Sequence, residues 1–247
     1  MSSLISFLTI RKQYDFRSIE IGRWVTPEEK DRAAVQFDRA LADLMVTLQG
    51  PEELISLRGH LGLQYGIGGR PGVAAHYIPA SRQLALAKNA GAGSLAHEWF
   101  HALDHYLADK AFQTQSSTAF ASSCWLNNQP SIDHPINSLL YACFREILLD
   151  ASGNQPSALF ENSKRADSQL GVFYYARPEE ICARAFEAFV EDTGPNNSFL
   201  VRGTRHSDEA QAGLYPQGEQ RRRINLAFGA YFSALGAALM GPVTHED

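Results

Sequence analysis

Apolar residues recur at helical spacing between residues 26 and 48, at Ala34, Phe37, Leu41, Leu44, Met45 and Leu48. That period predicts a long amphipathic helix. Thr26 can cap it, Pro27 suits its first position, and Glu29 completes a capping box. PEELISLRG, residues 51 to 59, predicts a second, shorter helix, and GLQYGIGGRPG then reads as a glycine-rich loop. No GK[ST] follows those glycines, so they do not form a phosphate loop. AAHYI (74 to 78) and residues 83 to 88 predict two short strands joined by a hairpin turn over Pro79, Ala80 and Ser81. Ser94 can cap the next helix, from 95 to about 109.

Residues 113 to 135 read as loop, 136 to 149 as helix, and 151 to 171 as a polar loop. VFYYA (172 to 176) follows, then a helix over Pro178 to Asp192. Another loop, from Gly194, leads to a last helix over about 217 to 240. No repeat or low-complexity linker divides the chain. The expectation is one domain over 1–247, with a core over about 15–230 and a loop insertion over about 111–135. Its class is α+β, mostly helical with a small mixed sheet.

Composition narrows this little. The chain has 247 residues, 45% hydrophobic and 20% charged, with a net charge of -5. That balance gives no reason to expect nucleic-acid or membrane partners. The run Arg221, Arg222, Arg223 reads as a solvated helix face. Cys124, Cys143 and Cys182 are odd in number and form no CxxC, which argues against a disulfide framework or a cysteine zinc knuckle. MSSLISFLTIRK lacks a basic stretch before its apolar run and a small-residue cleavage site after it. No apolar stretch approaches the ~20 residues that span a bilayer. A reduced, cytoplasmic protein is the expectation.

The chemistry concentrates in HEWFH, where His97 and His101 stand four apart with Glu98 between them. Residues four apart lie on one helix face, so both imidazoles can meet one ion. Two imidazoles suit zinc, with a third protein ligand and one open position in a hydrolase. Glu98, rotated ~100° from His97, is placed to act on a water that the metal activates, as a general base. His105 cannot share the ion, because positions i, i+4 and i+8 span ~12 Å of helix axis. The third ligand must come from another helix. PEEICARAFEAFVED offers Glu180 and, seven residues on, Glu187 on the same face. Glu180 is the favourite and Glu187 the reserve, and Ala183 would let the two helices approach closely. Asp104 is a candidate acceptor for a ligand imidazole. Tyr174, Tyr175, Tyr215 and His105 are candidates to stabilise an oxyanion. Cys182 reads as buried and inert.

GAGSLAHEWFHALDHYL and RPEEICARAFEAFV together resemble the zincin-like metallopeptidase domain of large polyvalent proteins from phages and mobile elements. They also look like related stand-alone bacterial proteins, the CLCA_X family. GIGGRPGVAAHYIPASRQLALAKN and LYPQGEQRRRIN fit the same pattern, so the likeness runs over roughly residues 15 to 230. It implies a zincin fold, with His97 and His101 as ligands and Glu98 as base. Zincins with a glutamate ligand carry an ExxA helix downstream, which points to Glu180. His105 matches no family role, and the 111–135 loop is longer than the domain requires.

The expected function is therefore hydrolysis of a peptide or protein by a Zn2+ peptidase. The competing expectation is a catalytically inactive zincin-like protein that binds a partner. A deformylase fits poorly: that class uses HExDH with an upstream cysteine, whereas position 100 is Phe and no cysteine precedes Cys124.

Overall fold

The computed structural model describes residues 5–67, 75–88 and 93–241. Among these, the chain begins α1 (Phe7–Gln13), β1 (Ile19–Ile21), α2 (Pro27–Leu48) and α3 (Glu52–Ile55). Three strands follow: β2 (Gly62–Tyr65), β3 (Ala75–Ile78) and β4 (Gln83–Leu86). The remainder is helical: α4 (Leu95–Ala111), α5 (Ala121–Leu126), α6 (Asn137–Leu148), α7 (Ala158–Leu170), α8 (Pro178–Thr193), α9 (Asp208–Gln211) and α10 (Gly218–Met240). The α+β class, mostly helical with one small mixed sheet, is what the sequence predicts.

The sheet has the order β1-β2-β4-β3. β1 and β4 run parallel to β2, and β3 closes the edge antiparallel to β4, in the register Ala75 to Leu86 and Ile78 to Gln83. The predicted hairpin is therefore present, and its β3 strand packs against α4.

Several elements depart from the sequence reading. The capping box of α2 forms as expected, with Glu29 accepting from the Thr26 amide at 2.8 Å. Ser94, by contrast, makes no side-chain cap; it takes helical backbone angles itself. The helix expected over 51 to 59 stops at Ile55, because Leu57 and Arg58 turn into the left-handed region (φ 54° and 57°). β2 lies inside the stretch read as a glycine-rich loop, and β1 and α1 were not anticipated. The rest of that loop (68–72), Ala74 and residues 89–92 lie outside the described residues. The expected loop 113–135 contains α5, and the loop from Gly194 contains the short α9.

The polar loop expected over 151–171 contains α7. Its inward positions are Leu159, Ser163 and Asp167, so the buried stripe is mostly polar and carries little apolar periodicity. Ser157 caps it, accepting from the Phe160 amide at 3.1 Å. Arg221 also departs from the solvated face expected of its run. It is buried and holds Asp192 through two bonds of 2.7 Å, with further bonds to Thr204. One of three consecutive helical residues faces the core, and its fork is satisfied there. Arg222 stays at the surface with Glu219.

The core joins α4, α8 and α10 through aromatic rings. Phe186 of α8 lies 5.6 Å from Trp99 and 5.1 Å from Phe100, both on α4, and 5.7 Å from Phe228 and Phe232 on α10. Trp99 also donates its indole N–H to the Ile55 carbonyl at 2.9 Å. Around Phe186, the fully buried Ala183, Ala185 and Ala188 keep α8 narrow enough for close approach. Gly236 serves the same end for α10: a Cβ there would lie 2.1 Å from the carbonyl oxygen of Gln49. All three cysteines are free and buried, and burial pushes the Cys182 thiol well above its usual range.

The entry to α8 is set by one carboxylate. Asp167, buried at the end of α7, accepts from the amides of Tyr174, Tyr175 and Ala176 at 3.0, 2.8 and 2.9 Å. Burial pushes this carboxyl up, but the three amides and the nearby Arg184 outweigh it and hold it below the usual aspartate range. Because the folded value is depressed, its stabilisation is present above the unfolded value of ~3.9 and is lost as pH falls through the folded value. Asp167→Asn should cost about 1–3 kcal/mol in urea unfolding at pH 7. It should also flatten the loss of stability between roughly pH 5 and pH 2, compared with the parent chain.

Candidate metal centre

α4 and α8 cross so that His97 and His101 face Glu180 and Glu187. His101 and Glu180 are buried and His97 is half-buried. The Nε2 atoms of the two imidazoles are 3.0 Å apart. Glu180 Oε2 is 3.3 Å from His97 Nε2, and Glu180 Oε1 is 3.5 Å from His101 Nε2. Ligand atoms of a tetrahedral zinc with bonds of ~2.05 Å are ~3.3 Å apart, so the three groups have the spacing of a tetrahedron's edges. His101 and Glu180 border one cavity and His97 borders another. The group His97, His101 and Glu180 therefore fits one metal ion, and its donor set suits zinc.

Glu187 takes a different place from the reserve ligand expected of it. Its Oε2 accepts the Nδ1–H of His97 at 2.9 Å, on the far side of the ring from Glu180. Tyr215, a candidate for an oxyanion, donates instead to that Glu187 oxygen at 3.2 Å. The chain Tyr215–Glu187–His97 holds the ring by its Nδ1–H, so that loss of the other proton would present the Nε2 lone pair to an ion. His101 has no equivalent, because its buried Nδ1 has no hydrogen-bond partner among the described residues.

Electrostatics agree with a cation-seeking site. Burial pushes the His97 imidazole down, but the charge of Glu187 and the bonds to Glu180 and Glu187 more than offset this, raising it to about 10. Burial alone would raise the Glu180 carboxyl, whereas its bonds to His101 and His97 hold it far below the usual range. Without an ion the cluster thus retains a proton, which an incoming metal would displace.

Asp104 and His105 point elsewhere. Asp104 accepts from the Ser122 amide at 2.8 Å and from the Ser122 hydroxyl, not from a ligand imidazole. Burial raises its carboxyl to about 6, with the Ser122 bonds opposing. His105 accepts the Tyr77 hydroxyl at Nδ1 (2.7 Å) and donates from Nε2 to the Ser117 carbonyl (2.8 Å). That leaves it neither a ligand nor free to reach a substrate oxygen. Together these two residues tie the expected loop insertion across the second half of α4. Phe120 of that segment packs on the His101 and His105 rings at 5.9 and 5.8 Å. Ser123 anchors it to α8 by donating to Glu179 at 2.8 Å. Sequence reasoning missed Tyr77 and Phe120, which carry no motif.

Two cavities meet at the centre, of about 420 and 470 Å³. His101, Glu180 and Phe120 border the first, and His97, Glu187 and Tyr215 the second. Glu98, Tyr174 and Ala75 border both. The Glu98 carboxylate and the Tyr174 ring thus stand at the seam. Burial, then the charge of Glu180, pushes the Tyr174 hydroxyl far above its usual range, so it keeps its proton. Tyr175 borders only the second cavity, with its ring beside the Arg184 guanidinium at 5.6 Å. The helix α7 packs against α8 and borders neither cavity, whereas Phe120 of the 111–135 segment borders one.

Residues 166–239 match the family model of Large polyvalent protein-associated domain 1. Over that segment the chain is similar to a domain of large polyvalent proteins, in line with the likeness the sequence suggested. The matched segment holds Tyr174, Tyr175, Glu180, Glu187 and Tyr215; the histidine pair lies before it. No curated protein and no solved structure matches the chain. Among the described residues, no helix is long and apolar enough to cross a membrane.

Loss of the carboxylate behind His97 should weaken metal binding without removing a ligand. Glu187→Gln should raise the zinc dissociation constant by about 10–100-fold in competition with a chelating dye. Tyr215→Phe should have a smaller effect in the same direction.

Proposed function

We propose that the protein is a zinc-dependent peptidase with His97, His101 and Glu180 as ligands and Glu98 as general base. The observation that carries this reading is a metal-sized triad lying beside two cavities, both of which Glu98 borders. Zinc bound there would act as a Lewis acid and lower the pKa of a water towards neutrality. Glu98 takes the proton from the attacking water and returns it to the leaving amine. Tyr174, protonated and at the seam, donates to the substrate carbonyl oxygen as negative charge builds on it. Glu187 holds the His97 ring in one orientation throughout. β3 lies at the sheet edge and borders both cavities through Ala75, so an extended peptide can pair with its free main-chain groups. That edge is why a polypeptide is favoured over a small amide as the substrate.

The test is turnover of a fluorogenic peptide library by zinc-loaded protein. Glu98→Gln should lower kcat/KM by about 10²–10⁴-fold and leave zinc content unchanged. Equal rates in both proteins would contradict the mechanism. If the zinc-loaded parent cleaves no library member, the non-enzymatic binding reading becomes the better account.

A further inference from the structure

Among the described residues, exposed large apolar side chains such as Trp24, Val46 and Leu226 are separated along the chain. Isolated cases of this kind are ordinary on soluble surfaces. The stretch from Leu170 to Tyr174 differs. Leu170 is 62% exposed, Val172 46%, Phe173 71% and Tyr174 43%, so four of five consecutive residues hold apolar surface in water. A contiguous patch of this kind marks an interaction site.

The patch is also held in place. Gly171 closes α7 in the left-handed region (φ 64°), and the Val172 amide donates to the Asp167 carbonyl at 3.1 Å. The Asp167 carboxylate grips the next three amides. Arg177 donates to the Phe173 carbonyl at 2.9 Å and stands over the Phe173 ring. A freely moving loop could fold these side chains against the body of the protein; the anchors keep them facing outward. The ridge is continuous with the cleft, because Tyr174 borders both cavities and Arg177 borders one.

We propose that Leu170, Val172 and Phe173 form a docking ridge for an extended, apolar segment of a polypeptide substrate, next to the cleft that would cut it. The proposal rests on the peptidase reading for its occupant. An unfolded chain presents apolar side chains and free main-chain groups together, which suits a ridge leading to a sheet edge.

The experiment uses zinc-loaded protein carrying Glu98→Gln, so binding is read without turnover. The probe is fluorescently labelled, reduced and carboxymethylated α-lactalbumin, a permanently unfolded chain. Leu170→Ser, Val172→Ser and Phe173→Ser combined should weaken binding by at least ~10-fold in fluorescence anisotropy, with the urea unfolding midpoint unchanged. An unchanged dissociation constant, or no binding by the parent, would overturn the proposal. So would a dimer in sedimentation velocity that the triple substitution abolishes, because the ridge would then belong to a second copy. Ridge-dependent binding by a protein whose Glu98 form cleaves nothing would sink the peptidase reading and leave the ridge standing.

Discussion

The candidate centre depends on how Phe186 is packed. Its ring packs against Trp99 and Phe100 of α4 and against Phe228 and Phe232 of α10. Trp99 and Phe100 are the two residues between Glu98 and His101, so the ring fixes the same turn of α4 that carries the histidines. Phe186 is also the immediate neighbour of Glu187 and lies six residues after Glu180. One aromatic contact therefore sets the separation and rotation of both helices at the site. Close packing makes this contact stiff, because a displaced ring would leave a cavity in a fully buried layer. The alanines around it let the helices come close enough for ligand atoms 3.0–3.5 Å apart.

That packing brings together groups that repel one another without a cation. Glu98, Glu180 and Glu187 surround two imidazoles in a largely buried space, an excess of negative charge that burial makes costly. The raised His97 and the depressed Glu180 are the metal-free response: a proton is kept where a positive charge is needed. A divalent ion meets the same need more fully, and Glu187 then keeps the ring aligned behind it. The segment 113–123, tied down through Ser117 and Ser122, adds a wall to the cleft and buries the far side of α4 without entering the triad.

The two helices that carry the site were legible in sequence. α4 announces itself by HEWFH on an apolar period, and α8 by Pro178 at its start and apolar residues along its length. The spacing of Glu180 and Glu187 placed them on one face, but not which faced the ion and which the back of a ring; that depends on the crossing of α4 and α8. α7 was illegible because its buried stripe is Ser163 and Asp167 beside a single leucine. β1 and β2 are three and four residues long, too short for an alternating pattern to stand out, and β2 begins at a glycine. The burial of Arg221 was hidden inside a run of three arginines, since its partner Asp192 is 29 residues away and meets it only in the fold.

The account's central claim is that one ion is held by side chains from α4 and α8 together. The most direct measurement is metal content by plasma mass spectrometry after equilibrium dialysis against zinc, for the parent, His97→Ala and Glu180→Ala. The account predicts about one zinc per parent chain and little in either variant. A parent chain that takes up no zinc, or a Glu180→Ala chain that still holds a full equivalent, would contradict it.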